Sequence, residues 1–179
     1  MTGTPLDDPR LHMMIPEERI QARVKELARE IRAEVGDAPI TCIGVLKGSF
    51  IFMADLVRAL GGPVRCEFLG VSSYHGGTRS SGVVRISEDL RHPIEGQHCL
   101  LVEDIVDTGL TLDYLRHFLE GRKPASMRTV CLLDKPGHRE VEVTPDHVGF
   151  TIPDEFVVGY GLDLGEFYRN LPYIAVYTP

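Results

Sequence analysis

Residues 100–111 read LLVEDIVDTGLT, and they carry the clearest structural signal of the chain. The apolar run 99–102 is typical of a short strand buried on both faces, and Asp107, Thr108 and Gly109 are turn and helix N-cap residues. Apolar residues then recur at helical spacing at Leu112, Leu115, Phe118 and Leu119. The stretch therefore predicts a buried strand that leads through an acidic, glycine-containing loop into a helix.

This loop favours a phosphate and sugar ligand. Backbone N–H groups at a helix N-terminus attract anions, which makes residues 107–111 a candidate phosphate site. Glu103 and Asp104 would repel a phosphate, so we expect them to face Mg²⁺ or the diol of a ribose. The alternative interpretation is that Asp107 only caps the helix and that Glu103 and Asp104 are solvated loop charges.

Length and composition predict one globular domain spanning residues 1–179. A chain of this length with 43% hydrophobic residues can bury one sizeable core, and no repeat or charge run suggests a second. The net charge of -7 argues against a nucleic-acid partner, since phosphate backbones are bound by clustered Lys and Arg. An anionic small substrate remains compatible, because a metal ion and a few cations can neutralise it locally.

The chain shows no pattern for export or for a membrane. Its N-terminus lacks a basic segment followed by an apolar core, and no apolar run is long enough to span a bilayer, so we expect a cytoplasmic protein without a membrane partner. Cys42, Cys66, Cys99 and Cys131 lie in strand-like apolar runs without a CxxC pair, and are expected to be reduced core thiols.

Strand and helix patterns alternate along most of the chain. Helices are predicted at 16–35 and 50–60, strands at 40–46, 64–71, 83–86 and 127–133, and a loop at 72–82. This alternation indicates an α/β fold with a doubly wound parallel sheet, whose ligands bind beyond the carboxyl ends of the strands. The core is expected at about 16–140, and the short β-like pieces of 141–179 are expected to form a small hood over the site.

Five regions, in order along the chain, resemble the type I phosphoribosyltransferases. They are GVLKGSF at 44–50, SSY at 72–74, VEDIVDTGLT at 102–111, LLDKP at 132–136, and PDEFVVGYGLD with YRNLP at 153–163 and 168–172. VEDIVDTGLT is similar to the signature of the hypoxanthine-guanine branch, and the short C-terminal tail is similar to bacterial members. The resemblance implies a twisted, mainly parallel sheet flanked by helices, with a small hood built from the C- and N-terminal segments.

The resemblance also implies the reaction, which is purine salvage. The phosphoribosyl group of phosphoribosyl diphosphate would pass to a 6-oxopurine base, hypoxanthine or guanine, with release of diphosphate. The cofactor implied is Mg²⁺, and a homodimer or homotetramer is expected by analogy. Two alternatives stay open: an enzyme of the same fold that prefers xanthine, and a non-catalytic regulator that uses the fold to sense a nucleotide.

Site residues follow from the matched motifs. Asp107 would exchange a proton with the imidazole edge of the purine. The ribose and 5'-phosphate would be held by Glu103, Asp104, Asp107, Thr108, Gly109, Leu110 and Thr111. Because some relatives carry a basic residue where this chain has Leu110, the phosphate loop is expected to rely on backbone donors. The metal would be held by Glu103, Asp104 and Asp163.

The matched motifs also assign residues that would bind the diphosphate and residues that would bind the purine base. Lys47, Gly48 and Arg169 would bind diphosphate, with a cis peptide before Lys47, and Ser73 and Tyr74 would belong to a lid. Lys135, Phe156, Val157 and Asp163 would bind the purine, Lys135 through the O6 acceptor and Phe156 by stacking. Outside their motifs, Lys135 and Arg169 would be interpreted as solvated surface residues. Phe156 would be interpreted as a core residue, and Gly48 as a flexible residue of an ordinary turn. The motifs give His75 and Arg79 no role.

Overall fold

A six-stranded sheet forms the centre of the computed structural model, which describes residues 8–73 and 84–179. Its strands are β2 (Ile40–Leu46), β3 (Val64–Ser73), β4 (Val84–Glu88), β5 (His98–Val106), β6 (Ser126–Asp134) and β7 (His147–Thr151), in the order β4-β3-β2-β5-β6-β7. Every neighbouring pair is parallel except β3 and β4. The mainly parallel α/β sheet predicted from the sequence is therefore confirmed.

Helices cover both faces of the sheet. Helices α1 (Glu17–Val35) and α2 (Phe50–Leu60) pack on one face with Cys42 and Leu100, while α3 (Leu110–Glu120) packs on the other with Ile43 and Leu101. Alternate residues of one strand thus enter different cores, which is why the central strands are apolar throughout. No helix among the described residues is both long and apolar enough to cross a membrane.

A second, three-stranded antiparallel sheet forms the hood. It consists of β1 (Leu11–Ile15), β9 (Ile174–Tyr177) and β8 (Val157–Val158), in the order β1-β9-β8. The sequence pattern places the hood mainly at about 141–179, and within this segment β7 pairs with β6 and forms the edge of the main sheet. The N-terminal segment contributes strand β1 to the hood, as the resemblance implied, although its partner β9 lies far away in sequence and leaves no local signal.

Strand ends differ from the prediction in functionally relevant places. Strand β5 continues beyond residue 102 to Val106, so the acidic residues 103–104 lie within the strand and not in a loop. They stay paired with β6 because its register continues through Glu103 opposite Cys131. Strand β3 likewise runs to Ser73, beyond the expected end at residue 71.

The cysteines are free thiols, but only three of them are core residues. Cys42, Cys99 and Cys131 are buried, whereas Cys66 is exposed, so its predicted core position is wrong. Cys66 lies in register with Cys42 on the same face of the sheet. Helix α2 packs over β2 and leaves this part of β3 uncovered, which explains the difference.

Candidate active site

The polar residues predicted from the motifs meet at the carboxyl end of the main sheet. Strands β2, β5 and β6 end side by side there, and the loop from Gly159 to Arg169 reaches the same edge from the hood. A cleft of about 280 Å³ lies between them. It is lined by Val45, Leu46, Lys47, Gly48, Val71, Val84, Glu103, Asp104, Ile105, Thr111, Asp163 and Arg169. This is where parallel α/β sheets place ligands.

The loop after β2 brings Lys47 and Gly48 to the floor of this cleft. The peptide bond between Leu46 and Lys47 is cis, as the resemblance implied. A Cβ atom on Gly48 would lie 1.5 Å from Oδ2 of Asp104, and a Cβ atom on Gly161 would lie 2.0 Å from the carbonyl oxygen of Gly48. Gly48 is therefore no ordinary flexible turn residue, because only glycine allows the β2 loop, β5 and the hood to meet this closely.

Glu103 and Asp104 are not solvated charges, so that alternative interpretation is wrong. Glu103 is only 6% exposed, and burial together with the neighbouring Asp104 carboxylate raises its pKa well above the ordinary value. Burial raises the pKa of Asp104 to about 6, although the N–H of Ile105 and the charge of Arg169 act in the opposite direction. Two carboxyl groups whose charged forms are disfavoured in this way are suited to binding a cation or hydroxyl donors.

The loop between β5 and α3 forms a second, smaller cavity. Its volume is about 90 Å³, and its lining includes Glu103, Asp107, Thr108, Gly109 and Thr111. The N-cap of α3 is Gly109 (φ 86°), one of the three residues expected at the turn and N-cap, and it has no side-chain capping bond, so Asp107 does not cap the helix. The first amides of a helix have no intrahelical acceptor, and a ligand anion can take them.

Gly109 is required here for two reasons. Its φ of 86° is a conformation that side chains disfavour, and a Cβ atom would lie 2.6 Å from Cγ1 of Val143. The Oγ1 atom of Thr108 accepts a 3.4 Å hydrogen bond from the N–H of Leu110. The loop therefore lines the cavity with Thr108, Gly109 and Thr111, and the amide of Leu110 has only a long hydrogen bond within the loop.

Asp107 lies beside residues that the motifs did not single out. Its Oδ1 atom is 3.1 Å from Nδ1 of His138, and the Nε2 atom of His138 is 2.7 Å from Oδ2 of Asp154. Arg139 donates to the backbone carbonyls of Val106 and Asp107 and to the carboxylate of Asp134. These contacts are long-range, since a short 3-10 helix (Pro136–His138) after β6 folds back onto the β5 loop.

Lys135 and the residues expected around the base differ in how far they are buried. Lys135 is 8% exposed, and its Nζ atom is 3.9 Å from Oδ1 of Asp154, so the solvated-lysine alternative is wrong. Val157 is buried in β8. Phe156 is 52% exposed and meets the ring of Tyr177 edge-on, with 6.3 Å between centroids, so it is no core residue.

Arg169 is tied into the hood loop and is not a surface arginine. Its side chain donates 2.7 Å to the carbonyl of Gly161 and lies 2.8 Å from Oδ1 of Asp163. Its Nε atom is buried without a protein partner among the described residues. Glu166, which the motifs did not assign, lies 3.0 Å from Nζ of Lys47 and 3.5 Å from Arg169, so it joins the two cations expected to bind diphosphate.

The lid prediction falls largely outside the described residues. Ser73 ends β3 opposite Val84, and this pairing is all that the structure gives for it. Tyr74, His75 and Arg79 lie in the segment 74–83, which is not described.

Comparison with known proteins gives a consistent result. The family model described as "Phosphoribosyl transferase domain" matches residues 16–164. A hypoxanthine-guanine phosphoribosyltransferase of Bacillus subtilis is 50% identical over 167 residues, covering 93% of each chain, and one of Aquifex aeolicus is 50% identical over 164 residues, covering 91% of this chain and 92% of the relative.

Solved structures agree with the sequence relatives. A hypoxanthine phosphoribosyltransferase of Staphylococcus aureus has a TM-score of 0.92 at 44% identity, covering 98% of this chain and 97% of that one. The Trypanosoma cruzi hypoxanthine phosphoribosyltransferase in complex with the product IMP has a TM-score of 0.89 at 48% identity, covering 98% of both chains.

Proposed function

This chain belongs to the phosphoribosyltransferase family, and on that premise we propose how its site works in purine salvage. The enzyme transfers the 5-phosphoribosyl group of phosphoribosyl diphosphate to hypoxanthine or guanine, and forms the nucleoside monophosphate and diphosphate. The observation that carries the site assignment is that two cations and the carboxyl groups of Glu103 and Asp104 line one cleft. The N-terminus of α3 lines a smaller cavity, which shares Glu103 and Thr111 with this cleft.

The substrate's charged groups fit three parts of this edge. The 5'-phosphate binds the backbone amides at residues 108–111, assisted by the hydroxyl groups of Thr108 and Thr111, because a helix N-terminus favours a phosphate. The diphosphate lies between Lys47, Gly48 and Arg169. The ribose diol then falls between them, against the carboxyl groups of Glu103 and Asp104, which both line the cleft.

Bond breaking at the anomeric carbon produces an oxocarbenium-like transition state. The leaving diphosphate gains charge, which fixed amide and guanidinium donors stabilise without reorganisation. Asp107 accepts the proton of the purine imidazole as the new bond forms, and its side chain, which lines the smaller cavity and is 45% exposed, is accessible to the base. The lid expected at Ser73 and Tyr74 would exclude water from the cationic centre.

Enzymes of this family generally require a divalent metal ion, and the donors here suit Mg²⁺. Glu103, Asp104 and Asp163 supply hard oxygen ligands at the cleft. Among the described residues, no three His, Cys, Asp or Glu side chains converge closely enough to hold an ion by themselves. This fits Mg²⁺, which keeps several waters and takes the rest of its ligands from substrate oxygens. When bound, it neutralises diphosphate charge.

Base selection depends on Lys135. An ammonium group has only donors, so it meets the O6 acceptor of hypoxanthine or guanine and cannot accept from the 6-amino group of adenine. Because Lys135 is nearly buried, an unmatched donor there is costly, which strengthens the discrimination. Phe156 stacks on the purine, and backbone groups of Val157 and Asp163 read its remaining edge.

A substrate panel tests this function. Purified enzyme with Mg²⁺ and phosphoribosyl diphosphate should convert hypoxanthine and guanine to their monophosphates, and adenine at least about 100-fold less efficiently. Xanthine in the same panel tests the xanthine-preferring alternative. No turnover of either hypoxanthine or guanine would contradict the proposed function. The homodimer or homotetramer and the cytoplasmic location stay predictions.

A further inference from the structure

His138 lies between two carboxylates that belong to different parts of the site. Its Nδ1 atom is 3.1 Å from Asp107 on the β5 loop, and its Nε2 atom is 2.7 Å from Asp154, which follows β7 at the start of the hood. The imidazole side chain is 44% exposed and reaches both partners from the 3-10 helix after β6. One side chain therefore joins the loops after three neighbouring strands.

The hydrogen bonds of His138 depend on which of its ring nitrogens carry a proton. Ionised carboxylates only accept hydrogen bonds, so an imidazole can donate to both partners only when both ring nitrogens carry a proton. The other charged groups here are Lys135, 3.9 Å from Asp154, and Arg139, which is paired with Asp134 and with the carbonyls of the β5 loop. Asp154 thus faces two nitrogen donors, and Asp107 has His138 as its side-chain partner in the structure.

We infer that His138 is a positioning residue for the proton transfer at Asp107. This inference rests on the role of Asp107 given under the proposed function. Arg139 fixes the backbone of Asp107, but the carboxylate is 45% exposed and would rotate without a partner. The Nδ1–H of His138 holds Oδ1 and leaves the second oxygen, Oδ2, for the imidazole proton of the purine. Asp154 in turn fixes the ring plane from the Nε2 side.

This arrangement also couples proton transfer to base recognition. Asp154 contacts both the ring that orients Asp107 and the ammonium that meets O6. When O6 of a 6-oxopurine attracts Lys135, the contact between this lysine and Asp154 weakens. His138 then remains as the partner of the Asp154 carboxylate. The ring is therefore fixed most firmly when the correct base is bound.

Two substitutions of His138 separate its contacts. In His138→Asn the amide nitrogen lies near the position of Nδ1 and keeps the hydrogen bond to Asp107, whereas in His138→Gln it lies near Nε2 and keeps only Asp154. With hypoxanthine at saturating phosphoribosyl diphosphate, we expect kcat within about threefold of wild type for His138→Asn and at least about 10-fold lower for His138→Gln. The KM for phosphoribosyl diphosphate should stay unchanged in both.

A double-mutant cycle gives the decisive test. If His138 acts through Asp107, His138→Gln should change kcat by less than about twofold in the Asp107→Asn background. His117→Gln is the matched control, because that histidine is 74% exposed and lies 3.5 Å from Asp113 on helix α3, away from the cleft. Thermal unfolding midpoints verify that every variant is folded, and His138→Leu, which lacks both hydrogen bonds, should behave like His138→Gln.

Other outcomes overturn the inference. Equal kcat values for His138→Asn and His138→Gln, or an additive cycle, would show that His138 does not act through Asp107. If Asp107→Asn itself left kcat unchanged, the role of Asp107 in the proposed function would fail. A large loss in Asp107→Asn with none in His138→Gln would refute only the inference about His138.

Discussion

Glu103 and Asp104 are residues that serve the site at the expense of the stability of the folded protein. Two acidic side chains at the end of a buried strand weaken the fold, because burial disfavours their charged forms. That cost is offset only when a cation or a hydroxyl-rich ligand is bound. The ligand-free protein should therefore be less stable than its apolar core would allow.

The stability of the metal-free protein should depend on the ionisation of Asp104. Folding raises the pKa of this group from 3.8 to about 6, so between these values the native state binds more protons than the unfolded state. Stability then falls as pH rises through this window. Asp104→Asn should remove the penalty and stabilise the protein by roughly 1 to 2 kcal/mol above pH 6, but hardly near pH 4. Urea unfolding in EDTA measures this, and a gain that is constant with pH would contradict it.

Lys135 should govern the choice of base. Lys135→Gln replaces a pure donor by an amide that also accepts, so kcat/KM for hypoxanthine should fall about 10- to 100-fold while that for adenine falls less or rises. Steady-state kinetics with both bases measure the ratio. Lys25→Gln, on the exposed side of α1, is the control. An unchanged ratio would show that backbone groups select the base.

At the scale of elements, the junction of the β2 loop, β5 and the hood has no room for a side chain. A Cβ atom on Gly48 would collide with Asp104, which lies on the neighbouring strand. The acidic side chain would have to leave its position beside the cleft. Substitution at this glycine therefore changes the site without removing any functional group.

Gly48→Ala should raise the KM for phosphoribosyl diphosphate at least about 10-fold, because it displaces both the diphosphate loop and Asp104. Gly121→Ala is the matched control: this glycine ends α3 with φ -58°, and its added Cβ would meet only ordinary contacts at 3.5 Å. Steady-state kinetics and thermal unfolding should separate the two variants. Equal, wild-type KM values would contradict the tight junction.

Local pattern accounts for most elements but not for their long-range partners. Helix α1 and strand β2 follow directly from their apolar spacing, and the β5–α3 motif places the phosphate loop. The roles of His138 and Arg139 are not visible in sequence, because their partners lie about 30 residues away and no periodicity marks them. The local pattern does not mark strand β1 either, because its only signal is the pairing with β9 near the other end of the chain.

For the whole molecule, ligand binding should tie the hood to the main sheet. Residues from both units line the cleft, so IMP binds the folded chain and not the unfolded one. At 100 times its Kd, IMP should add about 2.7 kcal/mol, or roughly 5 to 10 °C in the unfolding midpoint of a chain this size. Inosine, which lacks the phosphate, and AMP, which lacks O6, should give smaller shifts in differential scanning fluorimetry. Equal shifts for all three would contradict the site.

A crystal structure of the protein with IMP and Mg²⁺ would locate the phosphate, the ribose and the base in a single experiment. We predict the 5'-phosphate on the amides of residues 108–111, the ribose hydroxyls against Glu103 and Asp104, and the purine O6 within hydrogen-bond distance of Nζ of Lys135. A nucleotide bound in another cleft, with the N-terminus of α3 in contact with water alone, would contradict the account.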